Sequence, residues 1–224
     1  MSMGLFEEKG FIVIGPLLGA AECLELDSAM PQLQAGSAGA RHLLDFSWCT
    51  KLAKLIKAHP EIGPLLPSDP VAIQCIFFEK SKDQNWLVPL HQDLSIPVKE
   101  RVPHAELIGW SEKEGSLFVQ PPDSVLQELV AVRLHMDDCG PDDGPLRMVP
   151  GSHKKGRLSG AQALAERDRL GEMVCPVARG GALLMKPLLL HASSKASGQS
   201  KRRILHFVFG PRSLPCGLQW QYAV

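Results

Sequence analysis

One short segment of the chain, Leu90-His91-Gln92-Asp93-Leu94, carries residue types suited to metal chemistry. It lies in the apolar stretch Trp86–Ile96, which is predicted to be a strand. Side chains two positions apart on a strand share a face, so His91 and Asp93 converge while Gln92 turns away. The imidazole and the carboxylate are therefore candidate metal ligands. Taken alone, the pattern is also typical of a surface histidine beside a carboxylate.

His191 is the best candidate for a third ligand. It follows the apolar, strand-like segment Pro187-Leu188-Leu189-Leu190 and lies 100 positions after His91. Two histidines and one carboxylate form the facial triad that holds a ferrous ion and leaves three positions open. A barrel fold would bring two such distant strands together, so the spacing favours a barrel with one iron site.

The N-terminal part of the chain, about residues 1–70, is predicted to be mainly helical. A first strand is predicted at Phe11–Ile14. From Ser47 to Ala58 the apolar residues follow the spacing of an amphipathic helix, which Asp45 or Ser47 is expected to cap. Prolines then end the helical pattern.

From about residue 71 to 210 the sequence consists of short apolar segments separated by clusters of turn-forming residues. This pattern is typical of a β-sandwich or β-barrel. Ala161–Leu170 is predicted to be a surface helix inserted among the strands. The predicted strands, besides Trp86–Ile96, are Val71–Glu79, Leu117–Gln120, Leu129–Met136, Leu146–Val149, Met173–Val177, Ala182–Lys186 and Arg203–Phe209. We expect residues 1–224 to form a single domain.

Composition excludes several classes of protein. With 24 basic and 24 acidic residues the net charge is zero, which disfavours a nucleic-acid binder. Apolar runs are too short to span a membrane, and the N-terminus lacks the pattern of a secretory signal, so a cytoplasmic location is expected. The six cysteines form no C-x-x-C pair and are expected to be reduced and mostly buried. Hydrolase and phosphate-loop motifs are also missing.

Several sequence blocks together resemble the phytanoyl-CoA dioxygenase family of iron(II)- and 2-oxoglutarate-dependent oxygenases. They occur in the family's order and cover nearly the whole chain. The blocks are Phe6–Ile14, His91–Asp93, Met136–Asp138, Asp143–Arg147, Val149–Lys154, Gly180–Leu183, His191–Ser193 and Arg202–Arg203.

The resemblance implies a mainly β fold, a double-stranded β-helix (jelly roll, cupin-like) flanked by N-terminal α-helices. It implies that His91, Asp93 and His191 hold iron(II). It also implies that Arg202, 11 positions after His191, pairs with the far carboxylate of the cosubstrate 2-oxoglutarate. A guanidinium group suits a carboxylate because it donates two parallel hydrogen bonds.

Further positions follow from the same resemblance. Ser193 matches a family serine that contacts the far carboxylate of 2-oxoglutarate. Gln74 corresponds to a polar residue that contacts the cosubstrate in relatives. Trp110 and Phe118 fall in a segment that covers the mouth of the barrel, so they are candidate substrate contacts. His153 and the Asp137-Asp138 pair are interpreted as structural turn residues.

The implied activity is hydroxylation of an unactivated C–H bond in a small organic substrate, with O₂ as second cosubstrate and release of succinate and CO₂. Asp93 favours hydroxylation over halogenation, because halogenating relatives replace this carboxylate. The alternative is a non-catalytic jelly roll that binds a ligand or a metal. No membrane or nucleic-acid partner is expected, and the oligomeric state stays open.

Two neighbouring arginines have to be distinguished. Because side chains alternate along a strand, Arg202 shares a face with His206, whereas Arg203 shares the opposite face with Phe207. Apolar content would favour the Arg203 face as the interior, but the spacing from His191 favours Arg202 as the cosubstrate ligand. Arg133 and His135, though polar and in a predicted strand, are not expected to bind the metal.

Overall fold

The computed structural model describes residues 2–30, 39–81, 85–198 and 201–224. Within these ranges, no helix has the length and apolar character needed to cross a membrane. All six cysteines are free thiols, and only Cys216 is not buried, as expected. The α-helices are α1 (Ser2–Lys9), α2 (Ala20–Ala29), α3 (Ser47–Ala58), α4 (Asp123–Glu128) and α5 (Gly160–Leu170).

Thirteen strands are present in the described ranges, and most are short. They are β1 (Phe11–Ile14), β2 (Gly39–Ala40), β3 (Pro70–Lys80), β4 (Val88–His91), β5 (Ile96–Val98), β6 (Ile108–Lys113), β7 (Ser116–Gln120), β8 (Val130–His135), β9 (Leu146–Met148), β10 (Met173–Cys175), β11 (Ala182–Met185), β12 (His191–Ser193) and β13 (Arg202–Pro211).

The strands form a mainly β fold of antiparallel sheets, the predicted jelly roll with N-terminal helices. The larger sheet has the order β1-β11-β8-β13-β3-β2, and the second has the order β10-β9-β12-β4. A small third sheet, β5-β7-β6, lies beside them. Closing distant strands against one another in this way brings β4 next to β12, the relationship on which the site depends.

The N-terminal helices cover one face of the larger sheet. Leu52 and Ile56 of α3 pack in one buried cluster with Phe207 and Phe209 of β13. The other face of that sheet contributes to a second cluster, in which Ala131, Met148 and Met185 are buried. The face of β13 that the helices cover is apolar, whereas its opposite face carries polar residues that line a cavity, and this difference fixes the register of the strand.

Three predictions of local structure are wrong in detail. The strand predicted over Trp86–Ile96 is interrupted after His91, because the backbone N–H of Asp93 donates to the carbonyl of Pro187 at 2.9 Å instead of to a strand. The segment 187–190 is a turn and not a strand. Helix α3 has the predicted bounds, but its N-cap is Phe46, with no side-chain hydrogen bond.

Other elements were not predicted. Helices α1 and α4 have only eight and six residues, and strand β6 is mostly exposed, so their periodicity is weak. The inserted surface helix is confirmed as α5, where Ser159 caps the N-terminus by accepting from the backbone N–H of Gln162 at 3.4 Å.

Candidate active site and metal centre

The two candidate histidines lie side by side on neighbouring strands. His91 of β4 and His191 of β12 are paired residues, and their ring centroids are 4.2 Å apart. The Nδ1 atom of His91 lies 2.8 Å from the carbonyl oxygen of Pro89, and that of His191 lies 2.9 Å from the carbonyl oxygen of Leu189. A carbonyl accepts only from a protonated Nδ1, so in both neutral rings Nε2 is left with a lone pair for a metal.

Asp93 completes the group from the segment that follows β4. Its carboxylate oxygens lie 3.6 Å from Nε2 of His91 and 3.8 Å from Nε2 of His191. The three ligand atoms all lie within 4.8 Å of one another, so one metal ion about 2 Å from each could join them. Although Asp93 is outside the strand, its chain is extended enough to place it beside His91, as predicted.

The protonation of these groups suits ligation. Burial raises the pKa of Asp93, but the electrostatic interaction with His191 and the hydrogen bond from His91 outweigh the effect of burial. The net shift of this pKa is downward. Burial lowers the pKa of His191 to about 4, so this ring is neutral at pH 7. Burial lowers the pKa of His91 too, but the bond to Asp93 reverses the shift and raises it. Metal ions bind ionised carboxylates and neutral imidazoles, and a metal would displace the proton on His91.

Gln92 turns away from this group, as predicted, and holds the segment in place. Its amide nitrogen donates to the carbonyl oxygens of Gly156 at 2.8 Å and Leu188 at 2.6 Å. Its amide oxygen accepts from the backbone N–H of Leu158 at 2.9 Å. One side chain thus fixes the segment containing Asp93 against the turn before His191.

A cavity of about 480 Å³ opens beside the three candidate ligands. The residues that the resemblance assigned to the cosubstrate all line it, together with one of the two candidate substrate contacts. These residues are Gln74, Phe118, Ser193 and Arg202. The fold therefore gathers the predicted metal and cosubstrate residues around one space.

Arg202 is buried at the wall of this cavity, with 4% of its surface exposed. Its guanidinium donates to the carbonyl oxygen of Gly144. Gly144 has a φ of +64°, and a Cβ there would lie 2.6 Å from the carbonyl oxygen of Ser194, so the turn requires glycine. Among the described residues, Nε of Arg202 has no partner, which leaves a buried donor available to a ligand.

Arg203 points the other way, as the alternation predicted. Its guanidinium forms paired hydrogen bonds with the carboxylate of Asp137, at 2.7 and 2.9 Å, and contacts Asp27 at 2.8 Å. Asp137 thus has a structural role, as does Asp138, which accepts from the backbone N–H of Arg179. The pairing of Arg203 links β13 to helix α2.

Three polar residues of the cavity were missed by the sequence analysis as site residues. Lys80 is 1% exposed and donates from Nζ to Ser193 Oγ at 2.8 Å. The guanidinium of Arg133 lies 3.1 Å from Nδ1 of His206, whose pKa is lowered to about 3 by burial and then by Arg133. Alternation along the strands could have found two of them, since Lys80 lies at even steps from Gln74 and His206 at even steps from Arg202.

The two candidate substrate contacts differ in position. Phe118 of β7 is buried in the cavity wall, where Nζ of Lys113 lies 4.9 Å from the ring centroid. Trp110 of β6 lies outside this lining, and its ring instead packs under the guanidinium of Arg101 at 5.1 Å. The substrate role of Trp110 therefore stays a prediction drawn from the resemblance alone.

His135 and His153 lie outside the cavity lining. His135 is buried in β8, and burial followed by the charges of Arg133 and Arg202 lowers its pKa to about 3. His153 contacts the carbonyl oxygen of Glu7 through Nε2 at 3.2 Å, which ties the 3-10 helix Ser152–Lys155 to α1. The burial of His135 and the contact of His153 with Glu7 therefore account for these two histidines without a metal-binding role.

Comparison with solved structures supports the same architecture. AviO1 from Streptomyces viridochromogenes Tue57 is 18% identical, with a TM-score of 0.64 over 96% of this chain and 95% of its own. HygX from Streptomyces hygroscopicus, solved with nickel and 2-oxoglutarate bound, is 19% identical, with a TM-score of 0.63 over 94% and 86%. The epimerase SnoN, solved with Fe³⁺, alpha ketoglutarate and nogalamycin RO, is 15% identical, with a TM-score of 0.68 over 96% and 85%.

At these identities the likeness shows the fold. The comparison with curated proteins gave no significant match. The family model described as phytanoyl-CoA dioxygenase (PhyH) matches residues 6–204. The chain therefore belongs to the phytanoyl-CoA dioxygenase family of non-heme iron and 2-oxoglutarate-dependent oxygenases.

Proposed function

We propose that this protein is an iron(II)- and 2-oxoglutarate-dependent dioxygenase that hydroxylates an unactivated C–H bond of a small organic substrate. The observation that carries the proposal is the convergence of His91, Asp93 and His191 at a cavity that is also lined by a buried arginine, Arg202. A metal-binding triad and a carboxylate-binding group in one space fit a chelating 2-oxo acid with a second carboxylate.

In this proposal His91, Asp93 and His191 hold the iron(II). Two imidazoles and one carboxylate leave three coordination positions for the cosubstrate and for O₂. The bound iron, 2-oxoglutarate and O₂ supply the oxidising chemistry, and the cosubstrate leaves as succinate and CO₂. The carbonyl oxygens of Pro89 and Leu189 keep both rings in the tautomer that presents Nε2 to the metal.

The cavity charge supports a dianionic cosubstrate. Lys80, Arg133 and Arg202 line the cavity, and among the described lining residues Asp93 is the acidic one. Opposite charge in a space of low dielectric attracts a dicarboxylate strongly. In the proposal Arg202 donates to the far carboxylate, and Ser193 of β12 and Gln74 of β3 contact the cosubstrate from the two sheets.

The wall formed by the small sheet is the proposed place of the substrate. Phe118 of β7 with Ile96 and Pro97 of β5 gives the cavity an apolar part of its lining. Such a surface suits a mainly apolar part of a small molecule and keeps water from the reacting bond. Trp110 is retained as a candidate contact at the outer part of this sheet.

Related structures support a small-molecule substrate. HygX has been solved with hygromycin B, and SnoN with nogalamycin RO. SnoN is described as an epimerase and SnoK as a carbocyclase, so this architecture supports outcomes besides hydroxylation. We favour hydroxylation because Asp93 keeps a carboxylate in the triad, which fits an oxygenase and disfavours halogenation.

The test is succinate release by the purified protein with iron(II), ascorbate and 2-oxoglutarate, first alone and then with metabolite extracts. Mass spectrometry of the extract distinguishes the outcomes, since hydroxylation adds one oxygen atom, epimerisation leaves the mass unchanged and ring closure removes two hydrogen atoms. No succinate under any condition, together with retained iron binding, would favour the alternative of a non-catalytic binding protein.

A further inference from the structure

Lys80 is a buried lysine at the end of β3, with 1% of its surface exposed. Its ammonium donates to Ser193 Oγ at 2.8 Å and to the carbonyl oxygen of Ser194 at 2.7 Å, both uncharged acceptors. Within the described ranges, no carboxylate lies within ion-pair distance of it. Buried lysines are rare unless they are paired, because removing an ammonium from water is costly.

The ammonium also has hydrogen-bonding capacity to spare. An ammonium carries three N–H donors, and Ser193 and Ser194 accept from two of them. The ring of Trp86, with its centroid 5.6 Å from Nζ, adds a cation–π contact but accepts no conventional hydrogen bond. Among the residues that the structure describes, one donor is thus left for a ligand in the cavity that Lys80 lines.

Lys80 is the paired residue of Arg202 across strands β3 and β13. Paired side chains share a face of the sheet, and like charges placed opposite one another destabilise it. Burial, and next to it the charge of Arg202, lowers the pKa of Lys80 to about 8. Two buried cations side by side, one of them with a partnerless Nε within the described ranges, form a site that is complete only when an anion joins them.

We propose that Lys80 binds the far carboxylate of 2-oxoglutarate together with Arg202, so that two cations and the Ser193 hydroxyl form one clamp. A carboxylate has lone pairs enough to accept from all three groups. The proposal rests on the proposed function, because it adds a residue to the cosubstrate site of that reaction. Ser193, whose hydroxyl accepts from Nζ of Lys80, lines the same cavity as the two cations.

The experiment compares two cosubstrate probes on the iron(II)-loaded protein without O₂. 2-Oxoglutarate carries the far carboxylate, whereas 2-oxobutyrate has the same chelating end and lacks it. In Lys80→Met we expect the Kd for 2-oxoglutarate to rise about 10- to 100-fold, as for loss of a charge-assisted bond. The Kd for 2-oxobutyrate should change less than about threefold, since that probe has no group for Lys80 to bind.

Lys201→Met is the matched control. Lys201 precedes Arg202 in the chain, but it is exposed and lies 3.3 Å from Glu79, so neither Kd should change. Thermal melting supplies a second readout. Without ligand, Lys80→Met should be at least as stable as the wild type because an unpaired buried charge is removed, and the stabilisation by 2-oxoglutarate should shrink.

An unchanged Kd for 2-oxoglutarate in Lys80→Met would overturn the inference, and so would an equal loss for both probes, which indicates a structural role. If Lys80→Met does not fold, Lys80→Gln is subject to the same comparison and the same criteria. If the wild type binds neither probe, the proposed function fails and the inference fails with it. If the wild type binds 2-oxoglutarate, the result with the variant decides the inference alone.

Discussion

His91 and His191 are directly paired across β4 and β12, yet the pairing shifts by one residue before Ser193 meets Val88. This bulge falls between His91 and Val88, a stretch that contains Pro89, which lacks an N–H and is tolerated because β4 is an edge strand. The carbonyl of Pro89 is free to accept from His91. A sheet irregularity thus orients one candidate metal ligand toward the other.

We expect one ferrous ion to bind per chain and Asp93→Ala to lose most of the affinity, by more than about tenfold. The carboxylate is the one negatively charged group of the proposed triad, and it lies within 4 Å of Nε2 of both histidines. Anaerobic titration with iron(II) measures the stoichiometry and the Kd. His153→Ala is the control, and undiminished affinity in Asp93→Ala would show that the triad is wrong.

His135→Ala should leave iron binding intact. This ring is buried in β8 and lies outside the lining of the cavity, so it has no place in the proposed ligand set. The same titration tests it, with circular dichroism to confirm folding. Loss of the metal from a folded His135→Ala protein would contradict the assignment of His191 as the third ligand.

The two adjacent arginines should separate cosubstrate binding from stability. Arg202→Ala should raise the 2-oxoglutarate requirement by roughly 30-fold or more, since it removes a buried charged donor. Arg203→Ala should change that requirement only slightly, but lower the free energy of unfolding by about 1–3 kcal/mol because Asp137 loses its guanidinium partner, whereas Asp27 keeps Arg179. Succinate release and urea unfolding, measured side by side, decide this, and the opposite ranking would mean that the proposed roles are exchanged.

Stability of the metal-free protein should fall as the pH is lowered from 7 toward 4. Burial, followed by the charge of Arg133, lowers the pKa of His135 and of His206 to about 3. Both rings stay neutral in the folded state, whereas in the unfolded chain they bind a proton below about pH 6.5. The unfolded state therefore binds more protons in this range, and each one contributes a slope of about 1.4 kcal/mol per pH unit.

Urea unfolding at pH 7.5 and 5.0 measures this slope. His135→Gln should reduce the difference between the two pH values by close to the contribution of one proton. The same pH dependence in the variant as in the wild type would contradict the buried, neutral state of His135.

Local pattern predicted part of the candidate site, and the family resemblance added the cosubstrate residues. The H-x-D spacing placed His91 and Asp93 together because the chain stays extended between them, even though the strand ends at His91. Alternation along β13 separated Arg202 from Arg203, and the apolar row at Phe207 and Phe209 determined which face the helices cover. These features depend on neighbours in sequence, which a pattern records directly.

Tertiary structure decided what depends on distant partners. The end of β4 is set by Pro187, which accepts from the backbone of Asp93 across the fold. The position of Lys80 opposite Arg202 follows from the register of β3 against β13, which no local pattern encodes. The burial of Lys80 and its pairing with Arg202 arise only when strands that are distant in sequence come together in the jelly roll. The strand paired with β3 therefore determines where this buried cation lies.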